Sequence, residues 1–151
     1  MDAGRADVTR LAWLLADLPV ELLGRLRSDR VMRLPVPPRR PGTNGRPRKH
    51  GRELALSGPA AFPDPHVATS TAASRYGTAV TAARDRVHPR LTHRAAWLDH
   101  DGPLPVIEGI LIRLQVDRLP GDRDPKPVWL WWSRTGALPA DIDRRRTGGP
   151  G

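Results

Sequence analysis

The sequence predicts an α/β protein in which a helix and a strand come first and a mostly β region follows after long proline- and glycine-rich loops. Three observations lead to this prediction: an apolar stripe of helical spacing near the N-terminus, an alternating stretch directly after it, and two apolar runs typical of strands later in the chain. The 151 residues suffice for one ordinary domain or for a piece of a larger one. Cysteine is absent, which excludes a disulfide framework and a thiolate zinc site.

The first predicted element is a helix. Its apolar stripe has the spacing i, i+3, i+4, i+7 and consists of Leu11, Leu14, Leu15 and Leu18. Asp7 precedes the stripe and is a suitable N-cap, because its carboxylate can accept a hydrogen bond from a free N–H of the first turn. Pro19 disfavours the helical conformation of the residue before it, so the helix is expected to end at Leu18.

A strand with one buried face is predicted next. Its inward positions alternate along the chain and are Val20, Leu22, Gly24 and Leu26. A helix followed closely by a strand is typical of an α/β unit, although such a unit normally has a strand before its helix.

The middle of the chain is harder to interpret. Residues 33–65 hold many prolines and glycines and predict a linker or long loop outside any packed core. Residues 78–86 could form a short helix that ends near His88 and Pro89, and residues 95–98 could form another turn. The last residues, 137–151, lack apolar spacing and are expected to be disordered.

Two later runs, VIEGILIRLQV and PVWLWWS, predict paired strands, in antiparallel order. Trp129 and Trp131 share one face of the second run and Trp132 lies on the other, so core packing is a better interpretation than base stacking. Glu108 interrupts an apolar face, which places it beside an arginine or at the margin of the sheet. We do not assign it a catalytic role.

The net charge of +9 comes from one segment. Residues 24–52 contain one acid, Asp29, and ten basic residues: Arg25, Arg27, Arg30, Arg33, Arg39, Arg40, Arg46, Arg48, Lys49 and Arg52. The rest of the chain has fifteen basic and fifteen acidic residues. A neutral body with one basic arm favours contact with a polyanion. A solvated charged loop, or the arginine preference of a GC-rich genome, would also explain the composition.

Other chemistry has little support in the sequence. The five histidines, His50, His66, His88, His93 and His100, lack metal-ligand spacing and are expected to be solvated or bonded to the backbone. Phosphate loops, nucleophile elbows and dinucleotide fingerprints are absent. No apolar run approaches the roughly 18 residues of a membrane span. No export signal follows Met1, so a cytoplasmic protein is expected.

Several strings together resemble a known family. They are DAG, DVTRLAWLLADLPVELLGRLRSDRVM, RRPGTNGRPRKHG, SRYGTA, HPRLTHRAAWLDHDGPLP and PKPVWLWWS. They are similar to the later part of bacterial insertion-sequence transposases of the DDE superfamily, of the IS701/IS4-like kind, whose catalytic core is ribonuclease-H-like. The resemblance covers residues 2–143 approximately and depends on the combination of strings.

The resemblance implies a chemistry and a layout. In such transposases two aspartates and a glutamate hold two Mg²⁺ ions that cut and join DNA strands. Asp2 matches the second aspartate, so the resemblance implies a catalytic and metal-binding role for it. Residues 1–32 would be a fragment of the ribonuclease-H-like core, 33–65 a basic linker along transposon-end DNA, 66–136 a mostly β insertion, and 137–151 a tail.

The chain also departs from the family pattern. Arg5 and Ala6 follow DAG where the family has tyrosine, and the regions with the first aspartate and the final glutamate are missing. A lone carboxylate holds Mg²⁺ weakly, because the ion gives up its waters reluctantly. We therefore expect a truncated transposase remnant that binds DNA at most and is inactive as a nuclease. The protein partner expected for such a remnant is an intact transposase. The alternative is a small non-catalytic nucleic-acid-binding protein.

Overall fold

Seven β-strands and one α-helix are found in residues 7–136, the part of the chain that the computed structural model describes. The elements are α1 (Val8–Leu14), β1 (Leu23–Leu26), β2 (Val31–Arg33), β3 (Glu53–Ala55), β4 (Val67–Ala73), β5 (Gly77–Pro89), β6 (Gly109–Val116) and β7 (Val128–Trp132). Short 3₁₀ turns lie at Pro59–Ala61, Ala95–Trp97 and Pro120–Asp122. This part of the chain is therefore a small mixed α/β protein dominated by its sheet.

All strand pairs in the described residues are antiparallel, and the sheet is curled. The strand order is β1-β7-β6-β5-β2-β3, with β4 beside the first half of β5. Residues 27–30 alone connect β1, at one end of this order, to β2 near the other end. A connection of four residues spans less than about 20 Å. The sheet must therefore bend to bring its two ends together.

The main core fills the inner face of the curled sheet. It consists of Val8, Leu26, Met32, Leu54, Leu56, Val87, Leu111, Trp129 and Trp131. Leu111 lies opposite Trp131 in the β6–β7 register, so their side chains share this face. The Trp131 indole donates a hydrogen bond of 3.1 Å to the carbonyl oxygen of Val87, which satisfies a polar group that would otherwise be buried without a partner.

The predicted antiparallel pair near the C-terminus is confirmed as β6 and β7. The preference for core packing over base stacking is also confirmed, because Trp129 and Trp131 are fully buried. Trp132 lies on the other face, where it packs against a smaller cluster formed by Ala83 and Ile110. Glu108 comes directly before the first residue of β6, so it lies at the margin of the sheet as expected.

The predicted helix begins where expected but ends four residues early. Asp7 is its N-cap and accepts a hydrogen bond from the Thr9 backbone N–H at 3.0 Å. The helix ends at Leu14, and looser i+3 hydrogen bonds follow it up to Leu18. The predicted leucine stripe is not the buried side, since Leu14 and Leu18 are exposed. Val8 and Thr9 are buried instead.

Val8 and Thr9 are buried because the first turn of the helix comes close to the sheet. Val8 lies over Gly24 of β1, so close that a side chain on Gly24 would place its Cβ 2.7 Å from the Val8 Cβ. The helix therefore meets the sheet through its first turn.

Of the predicted inward positions, Leu26 is buried, and Leu22, just before β1, packs against the core. The prediction is wrong at Val20, which is 50% exposed because the strand begins only at Leu23.

β1 is an edge strand of an antiparallel sheet, not the strand of a parallel α/β unit. Leu23 pairs with Trp132 and Leu26 with Trp129, so β1 and β7 run in opposite directions. The pairing joins residues 23–26, near the N-terminus, to residues 129–132 in one sheet.

The segment 33–65 differs from the expectation of a loop outside the core. It contains β3, in which Leu54 is 1% exposed, and Leu56 just beyond it is also 1% exposed. β3 pairs with β2 and brings Leu54 opposite Met32. Two apolar residues in a proline- and glycine-rich stretch are too few to form a recognisable pattern, yet both complete the core.

The short helix predicted for residues 78–86 is wrong. These residues belong to β5, a strand of thirteen residues that pairs with β4 on one side and β6 on the other. The register shifts between Arg84 and Val87, where Arg86 has a positive φ of 58°. The turn predicted at 95–98 is confirmed by the 3₁₀ turn Ala95–Trp97. The tail 137–151 lies outside the described residues.

Candidate nucleic-acid interface

Most of the predicted basic arm forms one loop between β2 and β3, which we call the basic loop and define as residues 35–50. Two backbone hydrogen bonds close its neck, from Gly51 N–H to the Leu34 oxygen and from Leu34 N–H to the Arg52 oxygen, both of 2.9 Å. A side chain at Gly51 would collide with the carbonyl oxygen of Pro35, so the two sides of the neck touch. The basic loop therefore leaves the sheet and returns to it at the same place, and nearly all of its residues are exposed.

Five of the ten predicted DNA-binding residues have partners within the protein. The Arg27 guanidinium binds Asp29 at 3.0 Å, Arg30 binds Asp7 at 3.2 Å, and Arg33 binds Glu53 at 3.2 Å. Arg39 and Arg52 donate to backbone carbonyl oxygens, those of Thr43 and Gly45 for Arg39 and that of Ala61 for Arg52. These guanidinium groups contribute to the fold of the arm.

The other five basic residues are exposed, and none has an ion pair or side-chain hydrogen bond within residues 7–136. They are Arg25, Arg40, Arg46, Arg48 and Lys49. Arg25 lies on β1, whereas the other four are carried by the basic loop. The structure thus divides the predicted set into residues that stabilise the arm and a smaller group displayed to solvent.

Asp7 shows how the arm is attached to the helix. Its carboxylate accepts hydrogen bonds from the backbone and the hydroxyl of Thr9 and from the guanidinium of Arg30. Partial burial raises the pKa of Asp7, but the hydrogen bonds from Thr9 and the charge of Arg30 outweigh it and hold this pKa below its ordinary value. Arg30 is therefore a structural counter-ion of the N-cap.

A histidine pair ties the basic loop to the sheet. His50 Nδ1 lies 2.8 Å from Nε2 of His88, which is fully buried on β5. Burial, with the nearby charges of His50 and Arg33, lowers the pKa of His88 to about 4. Burial and the charges of Arg33 and Lys49 lower the pKa of His50 as well. Both rings are therefore neutral near pH 7, and one donates the hydrogen bond that the other accepts.

The expectation of solvated or backbone-bonded histidines is confirmed for the other three. His66 accepts a hydrogen bond from the Asp85 backbone N–H, and His93 and His100 lie within hydrogen-bond distance of carbonyl oxygens. It is wrong for His50 and His88, which bind one another. Nothing in the sequence pairs these two residues, because they are 38 positions apart and lie on different elements.

The described residues do not provide a catalytic metal site. Within residues 7–136, no three side chains of the histidine, aspartate or glutamate type converge as metal ligands. Two Mg²⁺ ions need several converging carboxylates, so the donor set of this part of the chain does not fit them. Asp2, the residue predicted to bind metal, lies outside the described residues.

Sequence reasoning missed a buried carboxylate on β5. Asp85 accepts hydrogen bonds from the backbone N–H groups of Arg86, at 2.9 Å, and of Gly136, at 2.9 Å to its nearer oxygen. It thereby fastens the chain after β7 to the irregular point of β5, where the strand register shifts. A single aspartate in an otherwise unremarkable stretch gives no signal of such a role.

Comparison with known proteins gives one match. The family model described as DDE superfamily endonuclease matches residues 1–90, which is more than half of the chain. The matched part includes the basic loop, α1 and strands β1 to β5. The chain matches no curated protein and no solved structure. No helix within residues 7–136 has the length and apolar character needed to cross a bilayer.

Proposed function

Because the chain belongs to the DDE superfamily endonuclease family, we propose that its basic loop binds the phosphate backbone of DNA. One observation supports this proposal above all: Arg40, Arg46, Arg48 and Lys49 are exposed on a single closed loop and have no partner among the described residues. Cations that are carried by one loop and are free of carboxylates can each neutralise a phosphate without breaking an existing ion pair.

The salt dependence of binding tests this proposal. A protein that neutralises four or five phosphates should lose duplex affinity with a log–log slope of about −4 against salt concentration. The measurement is fluorescence anisotropy of a labelled duplex titrated with the full chain over a series of NaCl concentrations. A slope near zero would refute phosphate binding.

A variant with the four loop cations replaced by alanine should reduce the slope to near zero. The matched pair is Arg40→Ala and Arg27→Ala, each of which removes one positive charge from an exposed arginine: Arg40 has no ion pair among the described residues, whereas Arg27 is already paired with Asp29. Arg40→Ala should make the slope shallower by about 0.9. Arg27→Ala should leave the slope unchanged. Equal losses in these two single variants would mean that net charge, and not the loop, determines binding.

We propose further that the chain corresponds to the later part of an IS701/IS4-like insertion-sequence transposase. In this proposal α1 and β1 derive from a ribonuclease-H-like core, and the strands from β4 onward derive from its β insertion. The resemblance of the strings and the family match over residues 1–90 support it. The flanking nucleotide sequence tests it: reading frames that supply the missing aspartate and glutamate would indicate an interrupted gene, and their absence would contradict the proposal.

Enzymes of the DDE superfamily generally use divalent metal ions, but we propose that this chain alone does not cleave DNA. Supporting this, residues 7–136 hold no converging set of metal ligands. Incubation of supercoiled plasmid with the purified chain and Mg²⁺ or Mn²⁺ should leave the plasmid intact. Nicking that Asp2→Ala abolishes would overturn the proposal and assign the activity to the chain itself.

A non-catalytic nucleic-acid-binding protein remains the second candidate function. The same four loop cations favour it, since phosphate binding does not require a metal site. The two candidates differ in partner: a transposase remnant is expected to associate with an intact relative, whereas an independent binding protein is not. Co-purification of the chain with a full-length transposase from the same genome distinguishes them.

A further inference from the structure

The basic loop has the composition of a stiff segment. Five of its residues are prolines, at positions 35, 37, 38, 41 and 47. Proline fixes φ and so reduces the conformational freedom that a loop must lose when it becomes ordered. Gly42 and Gly45 have φ values of +79° and +106°, a region that residues with a side chain rarely adopt. The two glycines therefore allow the tight reversal at the tip of the loop.

Arg39 holds this reversal together. Its Nη2 donates hydrogen bonds to the carbonyl oxygens of Thr43, at 2.7 Å, and Gly45, at 2.6 Å. The Thr43 backbone N–H bonds to the Arg40 oxygen at 3.3 Å and closes the same turn. Nη2 can serve both carbonyl oxygens because it carries two N–H groups, held in the plane of the guanidinium. The side chain of lysine is one bond shorter, so its ammonium does not occupy the position of Nη2.

The turn that Arg39 closes separates Arg40 from the other exposed cations of the loop. Arg40 comes before the reversal, and Arg46, Arg48 and Lys49 come after it. Because Arg39 bonds to Gly45 from the other side of the turn, it sets how Arg40 stands relative to these three. The far end of the loop is held separately, by the closed neck and by the contact between His50 and His88.

We propose that Arg39 is a positioning residue that preshapes the basic loop for a DNA backbone and does not itself bind phosphate. The proposal rests on the DNA contact proposed above. A loop ordered before binding loses less conformational entropy on association, so affinity rises without an additional contact. Arg39 then contributes to DNA affinity by fixing the shape of the loop, and the four exposed cations contribute to it by their charge.

Arg39→Gln and Arg40→Gln form a matched pair, since each removes one positive charge from adjacent exposed positions. The full chain carrying each change is titrated with labelled duplex at several NaCl concentrations. Arg40→Gln should lower the slope by about 0.9, the value for one lost phosphate contact. Arg39→Gln should weaken binding about tenfold, as expected for about 1.4 kcal/mol, with the slope unchanged. Arg39→Lys, which restores the charge but not the position of Nη2, should not restore affinity.

A second readout requires no DNA. The Asn44–Gly45 bond lies inside the reversal that Arg39 closes, and hydroxylamine cleaves an Asn–Gly bond faster where the backbone is free to move. Arg39→Gln should speed cleavage at Asn44–Gly45, and Arg40→Gln should leave its rate unchanged. Equal slopes and equal cleavage rates in the two variants would overturn the proposal.

The two proposals fail in different ways. If the unaltered chain does not bind duplex, the proposed DNA contact fails, and cleavage alone decides the role of Arg39. Faster cleavage of Arg39→Gln would then still show that Arg39 keeps the loop ordered, and an unchanged rate would refute this.

Discussion

His50 on the basic loop and His88 on β5 form a hydrogen bond of 2.8 Å between Nδ1 and Nε2, in a region crowded with the positive charges of Arg33 and Lys49. Such a bond requires one ring nitrogen to carry a proton and the other to be free of it. Protonation of both rings would place two cations in contact. The attachment of the loop therefore depends on pH.

We expect the free energy of unfolding to fall as the pH is lowered from about 6.5 to about 4. The folded-state pKa of His88 is about 4, against an ordinary value of 6.5, so the unfolded chain binds the proton more readily in this range. The loss should be about 3 kcal/mol by pH 4, at roughly 1.4 kcal/mol for each unit of pKa shift. The lowered pKa of Asp7 adds a loss only below its ordinary value of 3.8.

Urea unfolding of the chain at several pH values measures this effect. His88→Leu should make the curve shallower between about pH 7 and 4.5, because the more strongly shifted of the two titrating histidines is removed. His93→Ala is the control, since His93 is exposed and should leave the curve unchanged. An unfolding free energy of the unaltered chain that is constant over this range would contradict the prediction.

Gly109→Ala should destabilise the fold. A Cβ at Gly109 would collide with the buried indole of Trp131 and with the carbonyl oxygen of Trp132. Overpacking of this kind costs about 1–3 kcal/mol. Gly58→Ala is the control, because a Cβ there meets no atom within 4 Å and its φ of −130° suits any residue. Thermal denaturation should show a lower midpoint for the first variant only.

Removal of the N-cap at Asp7 should lower stability by about 1 kcal/mol, a typical loss for a helix N-cap. The loss should exceed that of Asp29→Ala, since Asp7 is partly buried and holds both Thr9 and Arg30, whereas the pair of Asp29 and Arg27 is exposed. Exposed pairs contribute less than about 1 kcal/mol. Chemical unfolding of both variants in parallel checks this, and equal losses would show that the Asp7 contacts contribute no more than a surface ion pair.

We expect the isolated chain to self-associate through the edge of its sheet at β1. Leu23 is 62% exposed on the edge strand β1, and Leu130 and Ile112 on the same face are only partly buried. An open edge with apolar side chains invites pairing with another chain, which a charged residue suppresses. Leu23→Lys should therefore reduce light scattering of concentrated solutions. Leu98→Lys, at a position 65% exposed but outside the sheet, should have little effect.

Some features of this protein follow from local sequence alone. The start of α1 at Asp7, the pairing of β6 with β7 and the burial of Trp129 and Trp131 were all predictable. The concentration of basic residues before Arg52 was equally evident. Caps and alternating patterns are readable because they involve residues within one or two turns or along one strand.

Other features depend on contacts between distant segments. The stretch within β5 has no strong alternation, and it is a strand because β4 and β6 offer it backbone partners on both sides. Leu54 and Leu56 enter the core because β3 pairs with β2. Glu21 and Trp132 form a hydrogen bond across 111 positions, a relationship that periodicity cannot express.

The candidate interface shows the same division. The sequence determined that the positive charge lies in one arm, because charge is a property of residue type. Which of those charges are free was decided only by the folded chain. Folding brings three carboxylates to arginines of the arm, those of Asp7, Asp29 and Glu53. It also brings backbone carbonyl oxygens to Arg39 and Arg52. Composition gives the number of cations, and tertiary contacts decide how many remain available to a partner.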